Sequence, residues 1–236
     1  MDYVLKLGGS VLTDKTSENT LSKNFSQVLS EIELGGILVH GAGSFGHPQA
    51  ERKGLRDGTR KGYLEPHTAV KKLNGKIVEE LRKQDLEPMP AHTSSIAYRE
   101  NGETRLQLGT VRKAAERGFL PVLHGDMILE ENGFSVISGD ELVAMIEKRF
   151  STGNAGFCIS EEGVLNREAE VVERISSLKE LHSMENDCAD VTGGIEGKVQ
   201  EVLEKKVRAR IFGREELKSF FRGQNPGTLV EPSETI

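Results

Sequence analysis

The chain has 236 residues, enough for one large domain or two small ones and for a core that needs no disulfide or metal staple. Its 31 lysines and arginines are outnumbered by 37 aspartates and glutamates, which argues against a nucleic-acid partner. No apolar run is long enough to cross a membrane and no signal segment opens the chain, so we expect a cytoplasmic protein without a membrane partner. The two cysteines, Cys158 and Cys188, lack the CxxC spacing of a zinc or redox site.

The first half of the chain alternates apolar runs with segments whose apolar residues have helical spacing. The run YVLKL, which ends in glycines, is typical of a buried strand. The predicted strands are 3–7, 37–40, 88–90 and 119–123, and the predicted helices are 21–32, 64–83 and 111–117. The dipeptides Asn101-Gly102 and Asn132-Gly133 favour tight turns and predict two hairpins.

The second half continues the same alternation. Ser138, followed three residues later by Glu141, fits a capping box, which places the amides of Gly139 and Asp140 at the N-terminus of a helix that runs to Phe150. Further strands are predicted at 156–160, 207–212 and 228–230, and further helices at 178–184, 195–203 and 215–221. This order indicates an α/β domain around a mostly parallel sheet, with the hairpins at one side.

Glycine is in excess: 26 of the 236 residues are glycine, about 11%, against an average near ~7%. The glycines cluster in loops that follow predicted strands. The clearest loops are 6–10, 40–44 and 192–194. Backbone amides in such loops can approach phosphate oxygens closely, although any one of them could equally be a plain turn. No P-loop motif is present. Residues 41–46 match G-x-G-x-x-G, but the polar stretch 57–61 lacks the acid-bearing strand end of a dinucleotide site.

Five motifs occur in an order that resembles the amino acid kinase superfamily: KLGGS (6–10), TDK (13–15), HGAGSFGH (40–47), SGD (138–140) and DVTGGIEGK (190–198). Within it the chain is similar to the archaeal-type isopentenyl phosphate kinases, from about residue 4 to 230. The resemblance implies a single domain, 1–236, with a three-layer αβα sandwich around a mostly parallel sheet. An N-terminal part, about 1–150, would bind the acceptor, and a C-terminal part, about 151–236, would bind the nucleotide.

The resemblance implies ATP-dependent phosphorylation of isopentenyl phosphate to isopentenyl diphosphate in isoprenoid biosynthesis. It also implies Mg²⁺ held mainly by phosphates, with no metal-ligand set in the protein, and a homodimer. The alternatives are a kinase for another small phosphate or phosphonate such as fosfomycin, and a catalytically silent nucleotide-binding protein. A dinucleotide-dependent oxidoreductase is a third choice.

Residue by residue, the resemblance implies three overlapping sets. The catalytic residues would be Lys6, Lys15, His47, Asp140 and Lys198. The ATP-binding residues would be Lys6, Gly8, Gly9, Ser10, Gly43, Glu161, Gly194 and Lys198. The acceptor-binding residues would be Ala42, Gly46, His47 and Gly139. At Glu161 the chain departs from the T-D-x-D-G-V-Y pattern of the family, which puts nucleotide preference in doubt.

Physical chemistry supports this assignment from another direction. Phosphoryl transfer needs positioning and charge stabilisation, which lysines from separate loops around one buried aspartate can supply. A phosphate monoester, with a second pKa near ~6, is already a dianion at neutral pH and needs no general base. A donor such as His47 would then orient it. We interpret His40 as a structural histidine at a strand end. The segment 124–126 could line the pocket or only turn the chain, and we favour the turn.

Overall fold

The computed structural model describes residues 1–46, 60–184 and 194–233. His47, Cys188 and the glycine-loop residues 192–193 lie outside these ranges. No helix within them is both long and apolar enough to span a bilayer. The cytoplasmic location stays a prediction.

A central sheet of eight strands organises the described part of the chain, in the order β10-β12-β11-β9-β1-β2-β6-β3. Its neighbouring strands are parallel except for the antiparallel pair β11 and β12. These strands are β1 (Val4–Leu7), β2 (Ile37–His40), β3 (Pro88–Pro90), β6 (Leu120–His124), β9 (Ala155–Ile159), β10 (Arg174–Ile175), β11 (Ala209–Gly213) and β12 (Thr228–Val230).

Two hydrophobic cores cover the two faces of this sheet, as a three-layer αβα sandwich requires. The helices are α1 (Gly9–Leu12), α2 (Phe25–Leu29), α3 (Arg60–Arg82), α4 (Gly109–Glu116), α5 (Gly139–Phe150), α6 (Leu178–Met184), α7 (Ile195–Lys205) and α8 (Leu217–Phe221). Buried residues of α5 and α7 pack on one face, and those of α1, α2, α3 and α8 pack on the other. The predicted fold class is confirmed.

The two predicted hairpins form a second, separate sheet with the order β5-β4-β7-β8. Its strands are β4 (Ala97–Glu100), β5 (Glu103–Leu106), β7 (Asp126–Glu130) and β8 (Gly133–Ile137). Both hairpins are antiparallel, as their Asn-Gly turns predict, and β4 runs parallel to β7 where Tyr98 pairs with Leu129. This small sheet carries one wall of the cavity described below.

Three local predictions differ from the structure. The predicted helix 21–32 shrinks to α2, because Leu21 forms a β-bridge with Thr13 instead of joining the helix. The helix predicted from residue 64 already includes Arg60. Helix α1 and the two-residue strand β10 were missed, since neither is long enough to show a hydrophobic period.

The pleat of the strands decides which layer each polar side chain enters, because successive side chains point to opposite faces. In β1, Leu5 and Leu7 belong to the core beneath α3, whereas Val4 belongs to the core beneath α5 and α7. Lys6 shares the face of Val4 and therefore meets α5 and α7. In β2, His40 shares the face of Leu38 and therefore points towards α3.

Candidate active site

Three charged side chains from three different elements converge at the carboxyl end of β1. The Lys6 ammonium lies 2.8 Å from Asp140 Oδ1, and the Lys198 ammonium lies 3.7 Å from Asp140 Oδ2. Asp140 occupies the first turn of α5, whose capping box is confirmed by a 2.9 Å hydrogen bond from the Glu141 amide to Ser138 Oγ. Both lysines are buried. One carboxylate therefore holds two ammonium groups at fixed positions.

The electrostatics of this cluster favour an anionic ligand. The pKa of Lys198 is lowered to about 8, chiefly by burial and also by the charge of Lys6, although Asp140 opposes the shift. Lys198 also donates a 2.5 Å hydrogen bond to the carbonyl of Gly194, at the start of its own helix. Two cations around one carboxylate leave a positive charge in excess, and anionic oxygens placed between the lysines would stabilise it.

The first two glycine loops are packed directly against each other. A Cβ on Gly9 would lie only 2.6 Å from Gly43 Cα, and Gly43 has φ +49°, with the Thr13 hydroxyl where its Cβ would be. Thr13 Oγ1 donates to the Gly9 carbonyl at 2.7 Å and accepts from the Ser44 amide at 2.9 Å. The close approach requires glycine at both positions, and Thr13 ties the two loops into one unit.

A cavity of about 340 Å³ borders the charged cluster. Its polar lining includes Lys6 and Asp140, together with all the described residues that the sequence predicts for the acceptor: Ala42, Gly46 and Gly139. The apolar lining comes from α3 and from the small sheet, through Pro66, Val70, Met127, Val136 and Ile137. The cavity thus has a charged part and a hydrocarbon part, and its volume is at the lower end of small-molecule sites.

The segment 124–126 contributes to this cavity. Gly125 and Asp126 line it, so the structure supports the less favoured of the two interpretations of this segment, although the segment also connects β6 to β7. The buried Asp126 carboxylate lies 2.9 Å from His67 Nδ1, and Tyr63 stacks on the His67 ring. The signal available was position, since segment 124–126 follows a parallel strand at the sheet edge where α/β proteins bind ligands.

A second and larger groove, of about 600 Å³, includes Ser10 of the KLGGS loop in its lining. It is lined by Ser10, Ser160, Glu162 and Arg214, among others. Ser10 Oγ lies 3.4 Å from Ser160 Oγ, and Ser160 donates 2.8 Å hydrogen bonds to the exposed carboxylate of Glu161. Arg214 was missed by sequence reasoning, although the Gly-Arg pair at the end of a predicted strand could have indicated it.

The remaining predicted residues are less closely joined to the cluster. Gly8 caps the one-turn helix α1 and donates its amide to the Cys158 carbonyl at 2.8 Å. Lys15 is exposed in the loop after Thr13, and no ion pair joins it to another residue of the described ranges. The structure therefore brings together two of the three predicted lysines. The position of His47 is outside the described residues.

Comparison with known proteins identifies the family of the chain. The model of the amino acid kinase family matches residues 1–212. An isopentenyl phosphate kinase of Haloferax volcanii is 32% identical and covers 96% of this chain and 97% of its own length. One of Methanothermobacter thermautotrophicus is 32% identical over 89% and 90% of the two chains. A crystal structure of isopentenyl phosphate kinase superimposes with a TM-score of 0.82 at 27% identity, over 96% of this chain and 98% of that one.

The three-layer α/β fold, with two lysines paired to one aspartate at the carboxyl end of β1, is accompanied by a match to the kinase family model over most of the chain. The chain belongs to the amino acid kinase family and, within it, groups with the isopentenyl phosphate kinases over nearly its whole length. The resemblance carried by the five sequence motifs is thereby confirmed.

Proposed function

We propose that this protein transfers the γ-phosphoryl group of ATP to isopentenyl phosphate, giving isopentenyl diphosphate and ADP for isoprenoid biosynthesis. One observation carries the proposal furthest: the Lys6–Asp140–Lys198 cluster borders a cavity whose other walls are mostly apolar. A phosphate attached to a short hydrocarbon matches both parts of that cavity. The names of the full-length relatives agree with this choice.

On the acceptor side, Lys6 and the backbone around Ala42 and Gly139 would hold the phosphate of isopentenyl phosphate. Gly139 opens helix α5, where unpaired amides and the helix dipole favour an anion. The acceptor phosphate is already a dianion near neutral pH, so the reaction needs orientation of the nucleophile rather than proton removal. His47, whose role is implied by the resemblance, would supply a further donor.

On the donor side, the amides of Gly8, Gly9 and Ser10 would bind ATP phosphates, with Gly43 and Gly194 beside them and Glu161 near the ribose or base. Lys198 and Lys6 would stabilise negative charge on the group in transit, and Asp140 would hold the two ammonium groups in place. Lys15 is proposed as a third cation, which its exposed loop would have to bring to the site. The groove beside Ser10 has the room that a nucleotide needs.

The residues present fit a magnesium ion that is carried by the nucleotide. Asp140, the acid at the centre of the cluster, is already paired with two lysines. Within residues 1–46, 60–184 and 194–233, no three potential metal ligands converge. Bound to phosphate oxygens, Mg²⁺ would neutralise charge on the β- and γ-phosphates.

The apolar lining favours isopentenyl phosphate over fosfomycin as the acceptor. Pro66, Val70, Met127 and Val136 offer surface to a hydrocarbon chain, whereas a compact, polar phosphonate would leave much of that surface uncovered. We therefore expect kcat/KM for isopentenyl phosphate to exceed that for fosfomycin by at least about tenfold, which corresponds to burial of roughly two methylene groups.

The test is an assay of the purified protein with MgATP, in which ADP release must depend on isopentenyl phosphate and ³¹P NMR must show a new diphosphate. Fosfomycin in place of isopentenyl phosphate measures the acceptor preference. ADP formation that no acceptor increases would contradict the proposal, and faster turnover of fosfomycin would reassign the acceptor.

Two broader points belong to the same proposal. Residues about 1–150 would bind the acceptor and residues about 151–236 the nucleotide, and the residues that line the cavity and the groove support this division. A homodimer is proposed from the family resemblance. Light scattering on the purified chain, with a mass near twice 25.9 kDa expected, tests it.

A further inference from the structure

Two buried histidines lie side by side beneath helix α3. His40 ends β2 and His124 ends β6, and the two residues are partners in the parallel ladder. Both are fully buried, with ring centroids 5.4 Å apart. Each is followed by a glycine that lines the acceptor cavity, Gly41 after His40 and Gly125 after His124. Neither ring takes part in the chemistry proposed above.

The hydrogen bonds of His40 identify its protonation state. Its Nδ1 lies 3.0 Å from the Gly41 carbonyl, and a carbonyl can only accept, so Nδ1 carries a proton. Its Nε2 lies 3.1 Å from Asn74 Nδ2, which also lies 3.5 Å from the Val122 carbonyl and therefore acts as a donor. Burial lowers the pKa of His40 to about 4, so near neutral pH the ring is uncharged, with its proton on Nδ1.

His124 repeats this arrangement in the next strand. Its Nδ1 lies 3.1 Å from the Gly125 carbonyl, and its Nε2 lies 3.1 Å from His92 Nδ1. Burial, with a smaller contribution from His40, lowers its pKa to about 3. The same contact at two neighbouring strand ends means that each imidazole holds the peptide that enters the cavity wall.

The direction of the Gly41 carbonyl determines where the next amide points. All described peptides are trans, so the N–H of Ala42 points opposite to the Gly41 carbonyl. Because that carbonyl faces the buried ring of His40, the Ala42 N–H faces away from the ring, and Ala42 itself lines the cavity together with Lys6. Among the described residues, none accepts a hydrogen bond from this amide.

We propose that His40 is a positioning residue that aims the Ala42 amide at the phosphate of the acceptor, and that Asn74 keeps the His40 proton on Nδ1. The inference rests on the proposed function, since it names the groups that bind the acceptor. His124 holds Gly125 in the same manner, and Gly125 packs so closely on the Gly139 amide that a Cβ there would lie 3.0 Å from it. The two imidazoles thus set the backbone on both sides of the acceptor phosphate.

Two substitutions of His40 separate positioning from packing. The amide of asparagine reaches the place of Nδ1, whereas that of glutamine reaches the place of Nε2. His40→Asn keeps a donor for the Gly41 carbonyl, and we expect its KM for isopentenyl phosphate to stay within about threefold of the wild type. His40→Gln loses that donor, and we expect this KM to rise about tenfold or more, with the KM for ATP within about twofold. Equal acceptor KM values in the two variants would overturn the proposal.

Two further measurements keep the inference testable if His40→Gln does not fold or if the acceptor is a different molecule. Asn74→Leu leaves the ring in place but removes the donor to Nε2, and a rise in acceptor KM of about threefold or more is expected. Imidazole ¹⁵N NMR of the ligand-free wild type should show the neutral Nδ1–H form of His40. The Nε2–H form would overturn the inference whatever the enzyme phosphorylates.

Inorganic phosphate then serves as a probe that needs no turnover. Adding it should shift the Ala42 amide resonance in the wild type and in His40→Asn, and much less in Asn74→Leu. An Ala42 resonance that phosphate leaves unmoved in the wild type would contradict the inference. If the resonance moves but isopentenyl phosphate is not turned over, the proposed function fails while the positioning role stands.

Discussion

The acceptor side and the nucleotide side of the site are built differently. The acceptor cavity is bounded by backbone that buried contacts hold in place: Gly41 by His40 and Gly125 by His124. The nucleotide groove is lined by exposed or half-exposed side chains such as Ser160, Glu162 and Arg214. The acceptor side is therefore preformed, whereas side chains on the nucleotide side are free to adjust to their ligand.

This difference has a physical consequence for recognition. A cavity of fixed backbone discriminates by shape, because an acceptor that does not fit must move glycines that have no space to move into. A groove lined by exposed side chains discriminates less, because those side chains can rotate at little cost. We therefore expect the enzyme to be selective for its acceptor and more tolerant of the nucleotide base.

The largest effect is expected at Lys6, which belongs to both sides. Lys6→Met removes the buried positive charge that would stabilise the transferred phosphoryl group, and it leaves Asp140 paired with Lys198 alone. We therefore expect kcat to fall by about 10²–10³-fold. The matched control is Lys72→Met on the exposed face of α3, with an expected change below about twofold. A Lys6→Met enzyme within tenfold of the wild type would remove Lys6 from the proposed mechanism.

Low pH should lower the stability of the fold through His40, which lies behind the acceptor cavity. The pKa of His40 is about 4 in the folded protein, below the ordinary value of 6.5, so the unfolded chain binds a proton first as the pH falls. The contribution of His40 to stability is complete above about pH 6.5 and is lost towards pH 4, by up to roughly 3 kcal/mol.

Urea unfolding between about pH 7.5 and pH 4 measures this loss, and His40→Asn should reduce the slope of stability against pH in that interval. The half-exposed His182 is the control, because His182→Ala removes a histidine that is not buried in the cavity wall. An unchanged slope in His40→Asn would show that His40 does not titrate as its burial requires.

The close packing of the two glycine loops, between the acceptor cavity and the nucleotide groove, depends on Gly43. Gly43→Ala places a Cβ at φ +49° against the Thr13 hydroxyl, which should cost about 1–3 kcal/mol of stability and lower kcat. Gly75→Ala is the control, for which we expect a change in stability of the opposite sign. Gly75 lies inside α3 with open space around it, so alanine there should stabilise by roughly 0.5–1 kcal/mol. Thermal unfolding of both variants tests the contrast, which fails if the two shifts have the same sign.

The smallest effect is expected at Lys198, on the nucleotide side. Its pKa of about 8 predicts that kcat/KM for ATP falls as the pH rises above about 8, because the ammonium loses its proton. Lys198→Arg keeps the charge to higher pH and should move this decline upward by at least about one pH unit. Lys218→Arg, at an exposed lysine, should leave it in place. A decline that does not move in Lys198→Arg belongs to another group.

Much of the site follows from local sequence. The alternation of Val4, Leu5 and Leu7 already places Lys6 on one face of a buried strand. The Ser138–Glu141 capping box already places Asp140 in the first turn of a helix. The Asn-Gly hairpins and the glycine loops after strands are equally local. Their positions depend on residues that are adjacent in the chain. The structure confirms the hairpins and the glycine loops after β1 and β2, whereas most of the loop 192–194 lies outside the described residues.

Contacts between distant segments could not be read in this way. Asn74 meets His40 across 34 residues of sequence, and His67 meets Asp126 across 59. Such pairs depend on which strands are neighbours and on where α3 crosses the sheet, and neither is encoded in a short window. The exposed position of Lys15 likewise depends on how its loop folds back over the glycine loops.

The sequence by itself determined the kind of chemistry: glycine loops at strand ends, lysines beside them, and an aspartate that opens a helix. Only the tertiary structure decided the partners of these groups. These partners include Asp140 with Lys6 and Lys198, and the carbonyls of Gly41 and Gly125 with the two buried histidines. The reason is physical. Local propensity and pattern set elements over a few residues, whereas hydrogen bonds between elements exist only when strand register and helix packing bring their atoms within about 3 Å.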